Sequence, residues 1–178
     1  MSHTGVIATA CLDPAALPRR PACIEDLEGK TLDPEASVVA CSRNGWINLR
    51  VEKIVAALGG ACLPTAGRDT VVLGGEALAA GAAELRRILT ALAAGTVTLP
   101  GRAVDGCGED EVRNILAVVS LSLAAALADY RAADARHPDG EHLEPLVRLL
   151  WCQVHLAEHA AARGLWLVSA RWPHAGSA

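Results

Sequence analysis

Leu149 to Ala161, LLWCQVHLAEHAA, carries Cys152, His155 and His159 at i, i+3 and i+7. Thiolate sulfur and imidazole nitrogen both bind zinc, and this spacing brings three such side chains toward one side of a helix. The surrounding residues 141–163 read as that helix. On a wheel started at Leu143, Leu146, Val147, Leu150, Val154, Ala157 and Ala161 gather within about 60° of the origin and define a core stripe. Cys152, His155 and His159 fall roughly 120–180° away, beside Arg148 and, more loosely, Glu144. They are therefore expected off the core, open to a metal or a partner. A closed tetrahedral site needs a fourth ligand from another element, with Cys23, Cys107 and His174 as candidates. Zinc suits this donor set best and iron comes second. The plain alternative is a solvated face, which Arg148 favours because its charge repels a cation. HLAEH is not a metalloprotease motif, since Glu158 precedes His159 directly instead of following His155.

A second constellation lies in VVACSRNGWIN. A strand is expected to end at Cys41, a polar turn to follow, and a helix to begin. In open α/β sheets, ligands collect beyond the carboxyl ends of strands. A thiol there is acidified by the next helix's N-terminus and by a cation such as Arg43. Cys41 and Arg43 thus form the candidate catalytic pair, and Ser42 and Asn44 a candidate anion cradle. Against this, Asn44-Gly45 is also an ordinary turn dipeptide. Ile47 occupies the sixth position after Cys41, where a phosphatase or rhodanese loop needs Arg.

Gly74-Gly75, in VVLGGEALAAG, closes another expected strand and opens a helix, where a phosphate group would sit. The stretch matches neither GxGxxG nor a P-loop with its Lys. Two glycines also serve a tight turn alone. If the two strands are parallel neighbours, both turns share one end of the sheet, and Cys41–Asn44 with Gly74-Gly75 would hold a small anionic ligand or cofactor. Cys107, in AVDGCGEDE, sits in the first turn of a later helix, but Glu109, Asp110 and Glu111 oppose its ionisation.

These residues must be positioned by elements that hydropathy patterning outlines. GVIATACL (5–12) reads as an edge strand, residues 13–35 as an irregular Pro-rich loop with one helical turn near Leu27, and 36–42 as a buried strand. An amphipathic helix follows over 46–58, a strand over 69–75, a helix over 76–95 and a short strand over 96–101. The β-α-β-α-β order implies a small, mainly parallel sheet. Residues 109–136 read as one long central helix, apolar nearly all round from Val112 to Leu127. A last strand is expected over 165–172 and a flexible tail over 173–178. The expected class is α/β or α+β in a single domain over 1–178.

Composition narrows the function classes. The chain has 178 residues, 52% hydrophobic, with no Phe, one Tyr, one Met and four Trp. Disorder is excluded, and Ala, Leu and Val must build the core. Such a core buries little area per side chain, which suits a homo- or hetero-oligomer completed by a partner, with Trp46, Trp151, Trp166 and Trp172 as surface contacts. Net charge is −4 without a basic patch, so nucleic acid is not an expected partner. The longest uncharged run, Asn114 to Ala128, is too short to span a bilayer, and the run from Val6 to Leu12 is too short for a signal core. A cytoplasmic protein without a membrane partner is expected. The six cysteines form no CxxC pair, and no disulfides are expected. Three readings follow: a ligand-binding protein or thiol enzyme at the strand ends, a non-catalytic assembly subunit, and a metal-binding protein centred on Cys152, His155 and His159.

Overall fold

The computed structural model describes residues 5–17, 19–21, 24–27, 30, 32–42, 71–97, 114, 119–137 and 143–171. Within these lie strands β1 (Gly5–Leu12), β2 (Ser37–Ser42), β3 (Val71–Leu73) and β4 (Trp166–Arg171). Three helices accompany them: α1 (Gly75–Ala93), α2 (Leu123–Arg136) and α3 (Leu143–Arg163). The architecture is mixed α/β.

The sheet runs β2-β1-β4-β3, and every neighbouring pair is antiparallel. This corrects the expected parallel sheet. That expectation took strands near in sequence as neighbours joined by crossovers. Instead β1 and β4 occupy the middle of the sheet and separate β2 from β3. The N-terminal strand, expected at an edge, is central. Its composition explains the fit, because Ala8, Thr9, Ala10 and Cys11 are all buried and small. Thr9 and Ser169, opposite each other on β1 and β4, satisfy one another's hydroxyls at 3.1 Å. An unpaired buried hydroxyl would be costly there.

The two faces of the sheet are covered differently. On one, Cys11, Val38 and Leu167 pack with Leu78, Leu85 and Leu89 of α1, Leu127 of α2 and Leu150, Val154 and Leu156 of α3. On the other, Ala8, Val72, Val168 and Ala170 gather around fully buried Leu27, with Leu12, Leu32 and Trp166 at the margin. Leu27 ends a short 3-10 helix, Ile24–Leu27, within the Pro-rich segment. Polar links hold that segment in place: Arg20 donates to the Val72 carbonyl, Arg19 pairs with Asp26, and Lys30 donates to the Ala16 carbonyl.

The expected long apolar helix is corrected as well. Residues 119–121 are not helical, and Ser122 caps α2, its hydroxyl accepting from the Ala125 N–H at 3.2 Å. Serines in VVSLS compete for backbone groups and favour a cap over a helix interior. The buried central helix is α3, which lies between α1 and α2 on the sheet and is buried at every position from 148 to 157.

Residues 96 and 97 are not in a strand, and Thr96 instead closes the last turn of α1 onto the Ala91 carbonyl. The expected helix at 46–58, the start of the expected helix at 109–113 and the tail at 173–178 lie outside the described residues. Among the described residues, no helix is long and apolar enough to cross a membrane.

Candidate functional site

The described ends of β2 and β3 do not converge. β2 and β3 stand at opposite edges of the sheet and run in opposite directions. Cys41 pairs with Val6 near one end of β1, whereas Leu73 lies level with Leu167 and Cys11 near the other. Three inter-strand steps of about 4.8 Å and about five residues of rise put the ends of β2 and β3 roughly 20 Å apart. No small anion can touch both strand ends. Cys41 and Ser42 are the last two residues of β2, while Arg43 and Asn44 lie outside the described residues.

Gly74 and Gly75 have local explanations. Gly75 takes a φ of +61°, a backbone conformation that side chains disfavour. A Cβ on Gly74 would come within 2.6 Å of Trp166 Cδ1. The two glycines turn β3 into α1 and admit an indole ring.

Cys152 and His155 are also placed differently from expectation. Cys152 is 0% exposed and His155 8% exposed, so both belong to the core. Leu150, Val154 and Ala157 of the expected stripe are buried, but the wheel said nothing of how many neighbours surround the helix. The Cys152 thiol donates to the Ala126 carbonyl across the α2–α3 contact at 3.2 Å. Burial pushes it up to about 12, with Arg131 and Arg148 opposing and Asp129 adding to the rise. It is a protonated thiol at neutral pH, engaged with a backbone carbonyl.

His155 points elsewhere. Its Nε2 lies 2.8 Å from the Ser120 carbonyl and must carry the proton in that bond. Its Nδ1 lies 3.9 Å from Glu158 Oε2. Glu158 in turn accepts two bonds from the Arg86 guanidinium of α1, one at 2.7 Å. Arg86 stacks 5.8 Å from the ring centre of Trp151, whose own ring lies 6.4 Å from that of His155. Ser120 closes the group by donating to Asp129 at 2.8 Å. This network ties α1, α3 and the segment before α2. Trp151, expected on the surface, is 1% exposed at its centre, and its Nε1 has no partner among the described residues.

His159 stands apart, its Nδ1 accepting from Arg163 at 2.7 Å. Burial first and Arg163 second hold it below the usual imidazole range, with Asp33 opposing. Among the described residues, no group of three His, Cys, Asp or Glu side chains is placed to hold a metal. Cys23 and Cys107 lie outside those residues, as do His174, Trp46 and Trp172. Trp166 is half-buried against the second core cluster.

The structure offers a concave site that sequence reasoning missed. A cavity of about 300 Å³ opens between the start of β2, the loop before it and the middle of α2. Leu32, Pro34, Ser37, Val38, Tyr130 and Arg131 line it. Ser37, Val38 and Tyr130 form a buried floor, Leu32 a half-buried wall, and Pro34 and Arg131 an exposed rim. Asp33 builds the loop by accepting from the Glu35 N–H at 2.9 Å, while its carbonyl takes the Ser37 hydroxyl at 2.6 Å and the Ala36 N–H at 3.0 Å. Arg131 bridges the mouth by donating to the Pro34 carbonyl. The one available sequence signal was Tyr130, the only tyrosine in the chain, next to Arg131 on an Ala-rich helix. No family model, curated protein or solved structure matches the chain.

Proposed function

We propose that the protein is a small-molecule-binding α/β domain whose ligand occupies the cleft between β2 and α2. The cavity of about 300 Å³ carries this reading. That volume is at the lower end of the roughly 300–1,000 Å³ of ligand pockets, and the mixture of apolar floor and few polar groups is typical of them. It keeps the expectation of a small ligand and moves it away from the strand-end turns. A ligand-observed NMR screen of small amphipathic compounds tests it. Binding is expected for the native chain and lost in Pro34→Trp, which fills the mouth from the exposed rim. Equal binding by that variant would remove the cleft as the site.

A second reading has its own observation. Leu121 is 90% exposed and Val119 41% exposed, on either side of the Ser120 that holds His155. Such side chains support a chain completed by a partner or a second copy. Light scattering is the test. A monomer at all concentrations, unchanged by Leu121→Ser, removes self-association.

A further inference from the structure

We infer that the cleft between β2 and α2 selects an amphipathic anion: a short apolar body ending in a single carboxylate or comparable acidic head. This rests on the ligand-binding reading above and specifies its chemistry. Three observations lead to it.

The first is size. At about 30 Å³ per water-sized group, 300 Å³ accommodates about ten such groups. That suits an eight-carbon acid.

The second is the wall chemistry. Val38, Leu32, Pro34 and the ring of Tyr130 present apolar surface, and the Ser37 hydroxyl is already directed to the Asp33 carbonyl. An apolar body is favoured in such a place, whereas a sugar with many hydroxyls would leave several unpaired.

The third is charge. Among the described residues lining the cavity, Arg131 alone is charged. A guanidinium carries five N–H donors, and the Pro34 carbonyl takes one from Arg131. Of the acids close by in sequence, Asp33 accepts from the Glu35 N–H and Asp129 from the Ser120 hydroxyl. The guanidinium therefore meets a ligand's head at the mouth while the apolar body lies over the buried floor. A carboxylate matches that fork in two parallel hydrogen bonds.

Titration of the whole chain with octanoate, octan-1-ol and octylammonium, followed by ¹⁵N NMR, tests the inference. Octanoate is expected to shift the amides of Ser37, Val38, Tyr130 and Arg131 and to bind about tenfold more tightly than octan-1-ol. Octylammonium should bind more weakly than either. Added salt should weaken octanoate alone, and Arg131→Gln should abolish its advantage over octan-1-ol. Equal affinity for octanoate and octan-1-ol overturns the anion preference but leaves the ligand-binding cleft standing. If none of the three probes shifts these amides, both readings fall.

Discussion

The two faces of the sheet reach similar burial by different routes. One is covered by three regular helices that bring many Leu side chains and a tryptophan onto Cys11, Val38 and Leu167. On the other, among the described residues, an irregular segment brings chiefly one side chain, Leu27, onto a floor of Ala8, Val72, Val168 and Ala170. Helices distribute stability over a stripe, whereas the loop concentrates it at one plug held by polar links at Arg19, Arg20 and Lys30. The candidate cleft lies where the two coverings meet, lined by Leu32 from the segment and Tyr130 from α2. Loops carried on a rigid scaffold are common places for binding residues.

Substitutions on each side test that contrast. Trp151→Ala empties the centre of the helical layer and removes the ring beneath Arg86, so chemical denaturation should register a loss of about 3–5 kcal/mol. Leu27→Ala should cost about 3 kcal/mol, and it is expected to release the segment before the helices. Hydrogen exchange then shows early loss of protection at Ala36 and Ser37 while α3 stays protected. Simultaneous loss everywhere would erase the distinction between the faces. Gly74→Ala drives a methyl group into Trp166 at the margin of the loop-covered face and should cost about 2 kcal/mol, read as a lowered Tm.

The smallest effect near neutral pH concerns two thiols on the helical side. Cys11 is pushed up to about 12 by burial, with Asp33 adding and Arg163 opposing, and Cys152 is pushed up to about 12 as well. In the unfolded chain both ionise near the ordinary value of 9.0. The folded state therefore holds more protons between pH 9 and 12, and stability should fall as pH rises through that window. Both thiols should resist alkylation at pH 8 until the chain unfolds. Rapid labelling of Cys152 in the native protein would contradict the sealed contact between α2 and α3.

The fold was legible where a pattern was local. Leu78, Leu85, Ile88, Leu89 and Leu92 announce α1, and the alternating small residues of GVIATACL announce β1. Strand order was not legible, because nothing near Thr9 signals that its partner is Ser169. The break at Ser122 was hidden by hydropathy, since LSLAAAL is apolar whether or not a serine begins a new helix there. At the candidate sites, residue type was readable but environment was not. Cys152 and His155 were marked as chemically capable, yet their role depends on Ala126 and Ser120, carbonyls that arrive with another element. Leu32, Pro34, Val38 and Arg131 carry no motif at all, and only the approach of α2 to β2 makes them a concave surface.

The antiparallel pairing of β1 with β4 also bears on synthesis. Residues 7–12 are made well before their partners at 166–171, about 160 residues further along the chain. Until then β1 has only β2 beside it, and β3, which pairs with β4 among the described residues, has no place in the sheet. Contacts of such long sequence separation are slow to form and leave apolar edges exposed meanwhile. A nascent chain stopped before Trp166 would hold a two-stranded ribbon instead of a four-stranded sheet. Because Ile7 lies opposite Arg171, the same pairing brings the start of β1 beside the end of β4. A circular permutant joining them through a short turn would make the slowest contact local, and it should fold faster than the natural order.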